Sequence, residues 1–133
     1  MKNSYFLSPQ EFAALSSLNG DARFEHFVKR VADRQTVWGL RNPEGWVSAS
    51  DDAGNEGFPV WPHPNYATAC ASSEWTAHSP VAIEIELFVS EWLPKMEEQN
   101  LNVIVFPTTE LRGVRISASE LRKILVQELS QYE

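Results

Sequence analysis

The spacing of hydrophobic residues predicts two consecutive amphipathic helices near the start of the chain. In the second helix, four apolar residues fall at positions i, i+3, i+4 and i+7, the spacing of one helix face: Phe24, Phe27, Val28 and Val31. Its opposite, charged face is predicted to include Arg23. The first helix is predicted to begin at Ser8-Pro9-Gln10-Glu11, because a capping serine precedes a proline that suits the first helical position. It is predicted to end at Asn19-Gly20.

Short β-prone segments separated by turn residues follow these helices. The residues Asn42-Pro43-Glu44-Gly45 predict a turn between two strands at 36–41 and 46–50, since proline presets φ and glycine accepts a positive φ. A third strand is predicted at 58–61. Pro59 cannot donate a backbone hydrogen bond, so we expect this third strand at an edge or a bulge of the sheet.

The rest of the chain alternates between helix and strand. The predicted order is a short helix at 64–72, a strand at 81–85, a helix at 87–99, a strand at 101–106, a strand at 113–117 and a C-terminal helix capped by Ser117. The helix at 87–99 is predicted to kink near Leu93, because Pro94 has no N–H and its ring clashes with the preceding turn. The strand at 101–106 is the most apolar run, which predicts a central strand covered on both faces.

These elements predict a single α+β domain over residues 1–133, with residues 1–7 as a poorly ordered start. A largely antiparallel sheet of about six strands is expected, covered by the N-terminal, central and C-terminal helices. The length of 133 residues fits one domain. Hydrophobic residues at 43% and charged residues at 22% are typical of a globular chain and exclude a disordered one.

Negative charge is concentrated in the middle of the chain. The formal net charge is −7, and residues 41–100 carry ten carboxylates against only Arg41 and Lys95. Such a field disfavours nucleic acid and an anionic membrane surface as partners, and it favours a basic partner. The same distribution is also typical of a solvated acidic face that only keeps a protein soluble.

The sequence contains no recognisable catalytic, metal-binding or cofactor-binding motif. We therefore predict no catalytic residues, no metal site and no cofactor. There is no Gly-rich phosphate loop and no nucleophile elbow. His63 and Cys70 lie seven residues apart, but two ligands do not make a metal site. No apolar run reaches the ~18 residues of a membrane span, and Pro9 interrupts a signal-peptide core, so a cytoplasmic protein is expected.

One segment combines rigidity with aromatic side chains. Residues 57–66, Gly-Phe-Pro-Val-Trp-Pro-His-Pro-Asn-Tyr, hold three prolines and four aromatic or imidazole rings. Binding sites use both properties, but a rigid turn that locks the core has the same composition. The candidate binding residues are Trp61, His63, Tyr66, Trp38 and Trp46. We expect Trp61 to be largely buried and His63 to lie at the surface.

Several blocks of the sequence resemble one family of bacterial proteins. They are Gly57 to Ala67 with Glu74-Trp75, Val37-Trp38-Gly39-Leu40, Glu44-Gly45-Trp46, Phe88 with Glu91-Trp92-Leu93-Pro94, and Val105-Phe106-Pro107-Thr108. In this order they resemble the family catalogued as domain of unknown function 2750. The resemblance implies a bacterial, cytosolic, single-domain protein without an established activity or assigned catalytic residues. More distantly, the order of elements is similar to SseB-type N-terminal domains, which implies a binding role by analogy.

Three classes of function remain open at this point. The first is a non-catalytic binding or regulatory module that contacts a protein or small ligand through the Trp61–Tyr66 turn and an acidic surface; an immunity or antitoxin protein is one form of it. The second is a small hydrolase or transferase with His63 as general base and Cys70 or a carboxylate nearby. The third is a structural domain, and the sequence leaves the oligomeric state open, a homodimer included.

Overall fold

The computed structural model describes residues 10, 14, 20–50, 56–71, 77–107 and 113–131. Gln10 and Ala14 are helical, but the capping residues and apolar stripe predicted for the first helix lie outside the described residues. The same holds for the start predicted at residues 1–7.

The described elements alternate between short strands and helices. The helices are α1 (Gly20–Arg34), α2 (Pro64–Cys70), α3, which joins three consecutive segments (Ile85–Leu87, Phe88–Trp92 and Leu93–Glu98), and α4 (Ala118–Ser130). The strands are β1 (Thr36–Asn42), β2 (Gly45–Trp46), β3 (Ala49–Ser50), β4 (Glu56–Val60), β5 (Ser79–Glu84), β6 (Asn102–Val105) and β7 (Val114–Ser117). The α+β class predicted from the sequence is confirmed.

The strands form two sheets, so the prediction of a single sheet of about six strands is wrong. One sheet has the order β2-β1-β5 and is antiparallel, and the other has the order β3-β4-β6-β7. In the second sheet β4 and β6 run parallel. The reason is the connection between them, which passes through α2, β5 and α3 and is long enough for a parallel return. Strand β5 leaves this sheet and pairs with β1 instead.

Strand β4 lies between β3 and β6, so its predicted place at a sheet edge is wrong. The position of Pro59 is nevertheless consistent with its missing N–H. Val60 accepts a hydrogen bond from Phe106 of the chain after β6, whereas Trp61 pairs in the opposite direction with Trp38. The N–H and C=O groups of successive residues point to opposite sides of a strand. The nitrogen of Pro59 therefore points to the same side as the backbone groups of Trp61, away from β6. Strand β3 pairs only with Glu56–Gly57 and has ended before Pro59.

A two-residue bridge joins the two sheets. Trp38 and Trp61 exchange both backbone hydrogen bonds, with N···O distances of 3.0 and 2.8 Å. The tight packing of β4 against β6 also requires a glycine. A Cβ atom on Gly57 would lie 2.7 Å from the side chain of Ile104, which is closer than carbon atoms approach.

The core faces predicted from the sequence are confirmed for three elements. Phe27, Val28 and Val31 of α1 are buried, and so are the three residues Val103, Ile104 and Val105 of β6. Helix α4 begins at the predicted cap, because the Ser117 hydroxyl accepts a hydrogen bond from the Glu120 N–H at 3.1 Å. Leu121 and Leu125 of this helix are buried.

Helix α3 departs from regular α-helical hydrogen bonding just before Pro94, in a π-helical turn at Phe88–Trp92. The kink predicted near Leu93 stays a prediction. The N–H of Leu93 donates to the carbonyl oxygen of Phe88, five residues earlier. The next π-type bond would run from Pro94 to Val89, but proline has no N–H to give. The carbonyl oxygen of Val89 instead accepts a hydrogen bond from Nε of Arg122 in α4, at 3.1 Å. One guanidinium therefore replaces the backbone donor that Pro94 removes.

Replacing Arg122 with methionine keeps the aliphatic stem and leaves the Val89 carbonyl without this donor. We expect Arg122→Met to lower the free energy of unfolding by ~1–2 kcal/mol, since the buried carbonyl loses its partner. The measurement is urea denaturation followed by circular dichroism. The matched control is Lys123→Met on the neighbouring exposed residue, for which ~0.5 kcal/mol or less is expected. Equal losses in the two variants would contradict this role of Arg122.

Candidate functional site

The Trp61–Tyr66 turn follows directly from strand β4 and is buried. The Trp61 side chain has no exposed surface, and its indole Nε1 donates a hydrogen bond to the carbonyl oxygen of Pro107 at 3.0 Å. Tyr66 is also buried, and its ring lies 4.7 Å from the ring of Phe106. The expected burial of Trp61 is confirmed. The turn therefore packs into the interior, which is the arrangement of a segment that locks the core.

His63 is buried as well, so its predicted surface position is wrong. Only 7% of the residue is exposed, and its Nδ1 accepts a hydrogen bond from the backbone N–H of Asn65 at 3.1 Å. The imidazole thus caps α2, and Pro64 occupies the start of that helix as the sequence indicates. Capping folds the ring back over the first helical turn, edge-on to Tyr66, with the ring planes at 83°. This local hydrogen bond is the reason that His63 turns inward.

Next to this turn lies a polar group that the sequence analysis missed. Arg23 was assigned to the charged face of α1, but it is 7% exposed, and its Nε donates to the carbonyl oxygen of Phe106 at 3.2 Å. Phe106 has a φ of 55°, a left-handed conformation that is costly for an aromatic residue. His26 of α1 packs against the Phe106 ring at 6.2 Å. The available signal was the helical spacing itself, because Arg23 lies four residues before Phe27 on the same face.

The buried thiol of Cys70 lies beside Trp61 and Pro107. It donates a hydrogen bond to the Pro107 carbonyl oxygen at 3.4 Å. Burial raises the pKa of Cys70 from an ordinary 9.0 to about 11, and a hydrogen bond with the Trp61 side chain acts in the opposite direction. The thiolate, which is the nucleophilic form, is therefore a very minor species at neutral pH.

The other two candidate residues lie in different surroundings. Trp38 is half-buried on β1, opposite Ala82 of β5. Trp46 of β2 belongs to a cluster of three rings with Phe58 and Trp92, at centroid distances of 5.9 Å to Phe58 and 5.0 Å to Trp92. Phe58 and Trp61 are three residues apart on an extended chain, so their side chains point to opposite faces. The structure thus separates Trp46 from the buried turn.

The cluster of three rings borders an open groove between β4 and α3. The groove has a volume of about 470 Å³ and is lined by Phe58, Leu87, Glu91, Trp92, Lys95, Met96, Gln99 and Leu101. Five of these residues are apolar, and Leu87 is 44% exposed. Such a volume and lining are typical of ligand sites in proteins. None of these residues was predicted from the sequence to belong to a site, although Phe58 lies in the aromatic segment at residues 57–66.

Within the described residues, no group of three or more His, Cys, Asp or Glu side chains is placed to hold a metal ion. Of the helices in those same ranges, none is long and apolar enough to cross a membrane.

The contact between Trp61 and Pro107 leads to a prediction about stability. We expect Trp61→Phe to lower the free energy of unfolding by ~2–3 kcal/mol, because it removes a buried hydrogen bond and leaves a cavity. Trp46→Phe is the matched control: Trp46 is half-buried, so we expect a loss of ~1 kcal/mol. Chemical denaturation measures both, and a larger loss for Trp46→Phe would refute the structural role of Trp61.

The raised pKa of Cys70 predicts a loss of stability at alkaline pH. The unfolded thiol ionises above pH ~9, whereas the folded thiol keeps its proton until about 11. The stabilisation is complete below the unfolded pKa and is lost as the pH rises through the folded one. Between pH 8 and pH 11.5 the wild-type protein should lose roughly 2 kcal/mol more than Cys70→Ala, in which the effects of other groups cancel. Parallel pH curves for the two proteins would show that burial does not shift this thiol.

Comparison with known proteins gives one match. No curated protein and no solved structure matches the chain, and the similarity to SseB-type domains stays a prediction. A family model described as "Protein of unknown function (DUF2750)" matches residues 24–125, well over half of the chain. The matched range contains all the blocks from which this resemblance was inferred. The chain therefore belongs to the DUF2750 family.

Proposed function

We propose that this protein is a non-catalytic binding module whose groove between Phe58 and α3 takes the apolar part of a partner molecule. The observation that carries this proposal is the open apolar groove itself, with a volume of about 470 Å³. Concave, mostly apolar sites of this volume with a few polar groups at their border are where proteins bind small molecules or the apolar side chains of partners.

The floor of the groove is rigid. Phe58 and Trp92 lie 5.5 Å apart, and Trp46 packs edge-on against both rings. Arg41 in turn lies over the face of Trp46, at 5.5 Å from the ring centroid. A preformed aromatic surface loses little conformational entropy when a ligand covers it. Met96 lies beside these rings and supplies a flexible, polarisable side chain that adapts to different shapes.

The π-helical turn of α3 contributes to the groove directly. Glu91 and Trp92 belong to the turn and line the groove. A π-helical turn adds one residue to the helical circuit and so re-aims the side chains that follow it, which is one reason that such turns often occur at functional sites. The Arg122 hydrogen bond to Val89 fixes this turn from the other side of the helix.

The geometry gives less support to the enzyme alternative. The Nδ1 of His63 already accepts a hydrogen bond, so the neutral imidazole carries its proton on Nε2 and has no free lone pair to act as base. The Cys70 thiol stays protonated because burial raises its pKa to about 11. Both groups thus serve the packing of the buried turn, and this supports a structural role for Trp61, His63 and Tyr66.

Methionine labelling makes the groove observable. The chain has two methionines, Met1 and Met96, so carbon-13 methyl labelling gives two signals, one of them from the groove. We expect the neutral apolar dye Nile red to bind saturably and to move the Met96 signal.

A pair of variants tests whether the dye sits in this groove. Leu87→Gln should weaken dye binding at least about threefold, because it removes exposed apolar surface at the groove. Val126→Gln is the matched control, since Val126 is a similarly exposed apolar residue that does not line the groove. Saturable binding without a Met96 shift, or equal weakening by the two variants, would refute the proposed function.

A further inference from the structure

The charged residues in and beside the groove indicate which kind of partner it could bind. Five exposed carboxylates lie at the end of β5 and along α3, against a single lysine, Lys95: Glu84, Glu86, Glu91, Glu97 and Glu98. Glu91 lines the groove together with Lys95. Three of the other carboxylates are sequence neighbours of residues that line it: Glu86 precedes Leu87, and Glu97 and Glu98 lie between Met96 and Gln99. Within the described part of the chain, neither Glu91 nor Lys95 is held in an ion pair.

The sheet topology limits how a polypeptide could lie in the groove. Among the described residues, the outer strands of the two sheets are β2, β5, β3 and β7, and none of them lines the groove. The described lining consists of side chains from β4, from α3 and from the residues just after α3, without a free strand edge. A bound segment therefore cannot extend this sheet, and its backbone groups bond either to water or within the segment. An amphipathic helix bonds within itself, and its apolar stripe suits a groove lined mainly by apolar side chains.

From these two observations we infer that the groove binds an amphipathic helix of a partner protein, with an apolar stripe that enters between Phe58 and α3 and basic residues beside that stripe. This inference rests on the proposed function and adds the class of partner to it. The apolar stripe provides contact with Phe58, Trp92 and Met96. The basic residues face Glu91 and Glu98, which attract them and repel acidic segments.

Three synthetic helical peptides with the same leucine stripe test the charge requirement. Their polar faces consist of lysine, glutamine or glutamate, and their binding is followed by fluorescence anisotropy of a labelled peptide. At 50 mM salt we expect the lysine peptide to bind at least about tenfold more tightly than the glutamine peptide, and the glutamate peptide to bind most weakly. At 0.5 M salt the first two should differ by about twofold or less, because salt screens exposed charges. Equal binding of the lysine and glutamine peptides at low salt would overturn the inference.

Variants of the protein test which carboxylates favour binding of the lysine peptide. Glu91→Gln with Glu98→Gln should reduce the preference for the lysine peptide over the glutamine peptide at least about threefold. The matched control is Asp21→Asn with Glu25→Gln, which changes the net charge equally on exposed residues of α1, a helix that does not line the groove. Equal effects of the two double variants would mean that net charge, and not the groove, selects the peptide.

A proline in the middle of the lysine peptide tests whether the peptide binds as a helix. It should reduce binding at least about tenfold, because proline disrupts the helix interior. Undiminished binding would overturn the helical form of the partner.

The outcomes of the dye and peptide experiments also separate the proposed function from the further inference. If Nile red binds at Met96 and no peptide does, the inference fails and the proposed function stands, whereas both fail if neither binds. Concentration-dependent dimerisation that Leu87→Gln abolishes would identify a second copy of this chain as the occupant and overturn the inference.

Discussion

Trp61 is held from two directions, and the arrangement of both sheets depends on it. Its backbone exchanges two hydrogen bonds with Trp38, which ties strand β4 to β1 across the gap between the sheets. Its indole donates to the carbonyl oxygen of Pro107, which ties the end of β4 to the chain that leaves β6. Because β4 and β6 run parallel, both segments leave the sheet at the same end. A fully buried ring with a satisfied N–H fixes that end with little freedom to adjust.

The inward position of Trp61 gives strand β4 and the residues after it two different faces. With Trp61 directed inward, the alternation along β4 turns Phe58 to the opposite side, where it meets Trp46 and Trp92. The inward side is filled by the buried turn and by the capping imidazole of His63. The other side keeps an open groove. One part of the aromatic segment therefore packs into the core, and another part, Phe58, lines the groove.

Helix α3 shows how a local defect is compensated by a distant residue. Pro94 cannot supply the hydrogen bond that a π-helical turn requires at Val89, and Arg122 of α4 supplies it instead. This hydrogen bond connects α3 with α4, and Glu91 and Trp92 of the same π-helical turn line the groove. Among the described residues, α3 is acidic and no outer strand lines the groove, and these two observations support the partner helix that we infer.

The sequence by itself determined the features that depend on neighbours a few residues away. The cap of α4 at Ser117, the helix start at Pro64 and the apolar face of α1 follow from hydrogen bonds and periodicity within one or two turns, and all three are as predicted. Strand order was decided only by the tertiary structure, because whether β4 pairs with β5 or β6 depends on the path of the long connection between them. The burial of Arg23 was decided in the same way, since its acceptor, the Phe106 carbonyl, lies 83 residues away along the chain. Local pattern contains no information about such partners, and they are specified only when the whole core packs.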